Sequence, residues 1–173
     1  MGADLRTGKL EFVRRGLMKD VRWMAARQGN LVLLGNDGLI AALSMDGTTR
    51  LWEMAAGKEY QLACGAGSDL VCLGGPEGSV LCIDARSGGP VWKTSVEGKL
   101  LKIWCKDDSD DLIVADLLRD GQNVVAGILA KDGSLRWELA AAPSELSSAH
   151  EGHGLLVVSS PSLGIVSLPT MPQ

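Results

Sequence analysis

The stretch Leu70–Trp92 reads LVCLGGPEGSVLCIDARSGGPVW. It holds an apolar run, a Pro-Glu-Gly turn, an alternating apolar run, a Ser-Gly-Gly turn and a closing Trp. Strand-length runs separated by glycine turns read as β-hairpins, because glycine takes the positive φ that tight turns need. The same pattern lies upstream in Leu31–Trp52, LVLLGNDGLIAALSMDGTTRLW, with turns at Asn36-Asp37-Gly38 and Asp46-Gly47. It lies downstream in Leu112–Trp137, LIVADLLRDGQNVVAGILAKDGSLRW, with turns at Arg119-Asp120-Gly121 and Lys131-Asp132-Gly133.

Large aromatics mark the period. Phe12, Trp52, Trp92 and Trp137 are spaced 40, 40 and 45 residues apart. A further strand precedes each hairpin pair, read at Val21–Arg27 with Trp23 and at Leu101–Lys106 with Trp104. Each unit therefore has four short strands and three turns in about forty residues, the content of one β-propeller blade. No helical periodicity exceeds two turns. Leu139–Leu146 holds Pro143 and reads as a loop with one turn of helix.

The chain opens on 3–12, the end of a unit without its beginning. It finishes on Leu155–Leu168, the beginning of a unit without its end. The expected fold is all-β: a β-propeller of about four four-stranded blades. The blades fall at 13–54, 55–95, 96–139 and 140–173, the last closed by the N-terminal strand 3–12. Closure of this kind hides sheet edges that would otherwise template aggregation.

Composition bounds the function. A chain of 173 residues reads as one domain and can bury ~70% of its unfolded surface. Its net charge is −4 and its pI is about 5.2. Acidic and basic residues alternate along it, which excludes the concentrated positive surface that reads phosphate backbones, so no nucleic-acid partner is expected. The longest apolar runs are strand length, far short of the ~20 residues of a membrane helix. Met1-Gly2-Ala3-Asp4 lacks a signal-peptide core, so a cytoplasmic placement is expected, with a lumenal or secreted one if a leader precedes this sequence. Cys64, Cys72, Cys82 and Cys105 form no C-x-x-C pair and are expected to be reduced core thiols.

The unit endings resemble the tryptophan-docking motif of quinoprotein-like (PQQ-type) propellers, A-x-D-x-x-x-G-K-x-x-W. Asp84, Gly88 and Trp92 match it. So do Asp4, Gly8 and Lys9, with Phe12 in the Trp place. In the unit ending at Trp52, Ser44 replaces the Asp and Gly47 comes one place early. In the unit ending at Trp137, Gly133 matches and Leu129 replaces the Asp. WD40 propellers are the near neighbour, but here the Trp follows the turn, in the fourth strand, which favours the quinoprotein-like type. The segment carrying Lys9, Leu10, Ile40, Ala41, Ala42, Leu43 and Trp52 also resembles the first propeller of subunit 1 of the endoplasmic reticulum membrane protein complex.

The quinoprotein resemblance would imply a quinone and a calcium ion in a ring of about eight blades. The adjacent cysteines often found in such enzymes are missing, and the chain is half the needed length. No catalytic residue and no cofactor are assigned. The weak metal candidates are Asp107, Asp108, Asp110 and Asp111, an acidic run without EF-hand spacing, and His150 and His153, too few ligands for a closed site. The run reads more readily as a solvated turn, and the histidines as a surface loop before Leu155–Val158. Gly65-Ala66-Gly67 reads as a turn between inner strands. The expected function is a non-enzymatic scaffold for protein–protein interaction, a subunit of a larger complex. The alternatives are a small-molecule or metal-binding propeller, with or without enzymatic activity, or a fragment or half of a larger quinoprotein-like ring, with two chains joined by strand exchange as a homodimer.

Overall fold

The three turns of the second unit each hold a glycine at positive φ, Gly67, Gly78 and Gly88. In the computed structural model, residues 18, 20–105 and 112–140 are described in full, together with the strand backbone of 2–3, 10–12, 141, 148–152, 155–160 and 164–169. The first four-stranded sheet is β3 (Val21–Arg27), β4 (Asn30–Gly35), β5 (Leu39–Ser44) and β6 (Arg50–Ala55). The second is β7 (Leu62–Ala66), β8 (Leu70–Gly74), β9 (Ser79–Asp84) and β10 (Pro90–Ser95). The third is β11 (Lys99–Cys105), β12 (Leu112–Arg119), β13 (Gln122–Leu129) and β14 (Leu135–Ala141). All three are antiparallel meanders in chain order. These are the blades of a four-unit all-β propeller, and no helix occurs among the described residues.

The fourth unit contributes β15 (Ser148–Gly152), β16 (Leu155–Ser160) and β17 (Gly164–Pro169), paired in that order. At the N-terminus, β1 (Gly2–Ala3) pairs with β2 (Leu10–Phe12). The intervening residues 4–9, with Asp4 and Gly8, lie outside the described residues.

Burial follows strand position. The middle strands β4 and β5 are almost continuously buried, whereas β3 and β6 alternate exposed and half-buried residues. A strand sandwiched on both faces reads as an unbroken apolar run, as NLVLLG and LIAALS do. The core is accordingly two seams between adjacent blades. One joins Val32, Leu34, Ile40 and Ala42 to Tyr60, Val71, Leu73, Ile83 and Ala85. The other joins Cys72, Val80 and Cys82 to Leu100, Ile103, Ile113, Ala115 and Leu117. The first strands converge, with β7 lying against both β3 and β11.

Repeat equivalence reaches the backbone. The Gly38 carbonyl accepts from Ala56 N at 2.9 Å, and forty positions later the Gly78 carbonyl accepts from Val96 N at 2.9 Å. Gly78 has φ +79°, and a Cβ there would run into the Val96 carbonyl. Only glycine allows this approach.

Three local expectations are corrected. Leu139 to Ala141 continue β14 instead of entering a loop, because β13 offers Val125, Val124 and Asn123 as ladder partners. Gly65 and Ala66 belong to β7, and only Gly67, at φ +55°, begins the turn. A Cβ on Gly65 would collide with the Arg27 guanidinium, which reaches over from β3. His150 to Gly152 belong to β15, where His150 pairs with Val157, and do not form a surface loop.

Candidate functional site

The sequence-predicted residues that the structure brings together are those of the docking motif. Trp52 sits on β6, yet its indole Nε1–H donates to the Ala85 carbonyl of the next blade at 3.1 Å. Trp92 on β10 repeats this one blade on, donating to the Ala130 carbonyl at 2.7 Å. Each ring also covers a turn glycine of that next blade. A Cβ on Gly88 would lie 2.6 Å from the Trp52 ring, and one on Gly133 would lie 2.5 Å from the Trp92 ring. A half-buried indole with a satisfied N–H thus fixes each blade against the next.

A β-bulge aims the ring. The pairing register shifts between Ala42 and Leu43 opposite Trp52, between Pro90 and Trp92, and between Gly127 and Ile128 opposite Trp137. A bulge bends the strand and redirects the side chain that follows it. The Trp137 ring covers Gly127 of its own blade, so a Cβ there would run into it. Phe12 lies on β2, and its side chain is outside the described residues.

The motif aspartate organises the turn under the ring. Asp84 Oδ1 accepts from Ser87 N and Ser87 Oγ at 2.7 Å each and from Arg86 N at 3.1 Å. Where the Asp place is filled by Leu129 or Ser44, another aspartate does this work. Asp132 Oδ1 accepts from Ser134 Oγ at 2.6 Å and Ser134 N at 2.9 Å. Asp46 Oδ1 accepts from Thr48 Oγ1 at 2.8 Å and Thr48 N at 2.9 Å. Both stand in turns that the sequence pattern marks, and Asp-x-Ser and Asp-x-Thr are Asx-turn signals.

The Ser87 hydroxyl, then its backbone N–H, holds the Asp84 carboxyl below the usual carboxylate range, as the Ser134 hydroxyl does for Asp132. A carboxyl with a lowered folded-state pKa adds stability above its unfolded value, ~3.9, and loses it as pH falls through the folded value. Asp84→Asn should therefore unfold more easily than wild type at pH 7 and lose less on acidification from pH 5 to 2. Urea titrations across that range check this, with the two curves converging at the acid end.

On the first strands, Lys102 Nζ lies 5.2 Å from the Trp104 ring centroid. Asp116 on β12 faces Val125 and Lys102 across its two ladders. Its Oδ1 is buried without a hydrogen-bond partner among the described residues, and burial raises its carboxyl above the usual range. A raised folded-state pKa means that the folded protein holds its proton longer, so the ionised group works against folding as pH rises. Asp116→Asn should raise the unfolding midpoint at pH 7, with the gain vanishing toward pH 4. Thermal melts at the two pH values read the difference.

Among the described residues no group of three or more His, Cys, Asp or Glu is placed to hold a metal. Asp107, Asp108, Asp110, Asp111 and His153 lie outside the described residues, and of His150 only the strand backbone is described. No helix among the described residues is long and apolar enough to cross a membrane.

Known proteins share this fold. A curated relative, the outer membrane protein assembly factor BamB of Nitrosomonas eutropha, is 28% identical over 109 residues, covering 63% of this chain and 25% of that protein. The chain thus spans a quarter of the length of this relative. The crystal structure of BamB from Moraxella catarrhalis superposes with a TM-score of 0.63 at 16% identity, over 86% of this chain and 45% of that one. The computationally designed Ika4 protein superposes with a TM-score of 0.70 at 15% identity, over 98% of this chain and 99% of that one. The WD40 domain of Toxoplasma gondii coronin reaches 0.67 at 16% identity, over 84% and 41%. The structural likenesses establish the propeller fold. The model of the family described as outer membrane protein assembly factor BamB matches residues 36–169, and by that match, over blades held together by docked tryptophans, the chain belongs to this family.

Proposed function

We propose that the chain is a non-enzymatic protein-interaction propeller and a subunit of a larger complex. Family membership over 36–169 is the observation that carries this reading, because the family is described as an assembly factor. The outer strands support it. β6, β10 and β14 each end their sheet, leaving one side of the strand without a ladder partner in that sheet. Beside each edge stands an exposed apolar side chain: Leu51 at 47%, Val91 at 47% and Leu135 at 51% exposure. Apolar groups repeated along open strand edges suit a protein contact, by strand addition or by packing.

Two finer points belong to the same proposal. β2 pairs with β1 and the fourth sheet holds three strands; in this reading its fourth strand is added by the N-terminal segment, of the same chain or of a second copy, and exchange between two copies gives a homodimer. The relative's description as an outer membrane protein assembly factor supports work at the cell envelope in preference to the cytoplasmic placement expected from the sequence.

In-cell crosslinking followed by affinity purification tests the reading, comparing wild type with a Leu51→Glu, Val91→Glu, Leu135→Glu variant. A defined partner that crosslinks to wild type and is lost from the folded variant is expected. Absence of any reproducible partner on wild type would sink the proposal.

A further inference from the structure

All four cysteines of the chain meet at the seam between the second and third blades. Cys64 on β7, Cys72 on β8 and Cys82 on β9 face one another across two ladders, at pairs Cys64↔Cys72 and Cys72↔Cys82. Cys105, at the end of β11, packs against the same cluster from the third blade. All four thiols are free in this structure.

Ladder phase separates these pairs. Gly75 N donates to Ser79 O at 2.8 Å, and Ala85 N donates to Asp69 O at 2.7 Å. Hydrogen-bonded pairs alternate along an antiparallel ladder, so between β8 and β9 they fall at Val71/Ile83 and Leu73/Leu81. Cys72/Cys82 is therefore a non-hydrogen-bonded pair, the closer kind, with a typical Cα separation of ~4.5 Å, inside the range of disulfides. The Cys72 backbone groups point instead toward β7, making Cys64/Cys72 the wider kind. The side chains agree: the Cys72 and Cys82 sulfurs stand 2.9 Å apart.

We propose that Cys72 and Cys82 are a thiol-oxidation site that closes to a cross-strand disulfide when the chain folds in the presence of a small-molecule disulfide. Both residues are fully buried once the third blade covers them. The Cys82 thiol and burial also hold the Cys72 thiol far above its ordinary pKa, so the attacking thiolate is scarce in the folded state. Exchange therefore runs on the open chain. With glutathione disulfide, the Cys72 thiolate attacks one glutathione sulfur and expels a glutathione thiolate. The Cys82 thiolate then attacks the Cys72 sulfur and expels the second. One S–S bond forms as one breaks, the protein thiols are oxidised, and their two protons end on two reduced glutathiones.

The test is to refold the full chain from denaturant with glutathione disulfide and reduced glutathione, quench with acid, then block and count thiols in denaturant. Peptide mapping without reductant locates the bond. The expected result is loss of two of the four thiols, with a peptide joining Cys72 to Cys82 as the main linkage. The Cys64→Ala, Cys105→Ala variant keeps that linkage, and Cys82→Ala loses it. Should Cys82→Ala fail to fold, the double variant alone decides. Four free thiols after refolding, or a main linkage through Cys64 or Cys105, would overturn the proposal. Addition of the same oxidant to folded protein should give at least tenfold slower thiol loss than refolding does.

Discussion

Trp92→Ala should lower stability by about 3 kcal/mol, read by urea unfolding, with a drop of roughly 6–12 °C in the thermal midpoint. The ring is half-buried in the seam between the second and third blades. Removing it exposes the turn at Gly133 and leaves the Ala130 carbonyl without the donor now at 2.7 Å. Trp92→Phe keeps part of the ring contact and loses the N–H, so it should fall between wild type and Ala. Equal stability of wild type and the Ala variant would mean that the docked indole does not hold the blades.

Gly133→Ala should cost roughly 2–4 kcal/mol, for two separable reasons. Its φ of +74° is strained for an L-residue, and the new Cβ would press on the Trp92 ring 2.5 Å away. The second reason vanishes if the ring is gone. In the Trp92→Ala background the same glycine substitution should therefore cost only about 1 kcal/mol, a coupling of 1–3 kcal/mol by double-mutant cycle. Additive effects would show that ring and glycine are not in contact.

The fold was legible because each blade writes its own period. Strand alternation and turn glycines are local, and the Trp52, Trp92 and Trp137 positions repeat them at nearly constant spacing. That each tryptophan packs on the next blade was legible from the docking motif; the groups it meets there were not. The indole acceptors, Ala85 and Ala130, come from 33 and 38 residues downstream, and alanine carbonyls carry no side-chain signature. The turns at Asp46 and Asp132 were legible, but not that these aspartates take the place of the motif carboxylate, since an Asx turn needs only a carboxylate two residues before an N–H donor. The cysteines looked like scattered core residues, since ladder register, not sequence spacing, aligns Cys64, Cys72 and Cys82. Pro143 points to a loop over Leu139–Ala141, but the long partner strand β13 carries β14 further.

The candidate site was legible only as structure. Motif residues that look functional in a list are spent on docking and turn formation, which leaves the strand edges and loops for partners. Association with other chains follows from this arrangement, and native mass measures it most directly. Light scattering on a gently extracted, size-fractionated sample of the endogenous protein should give a mass well above the 18.2 kDa of one chain, with defined chains co-eluting. A peak at 18.2 kDa carrying no other chain would contradict the account.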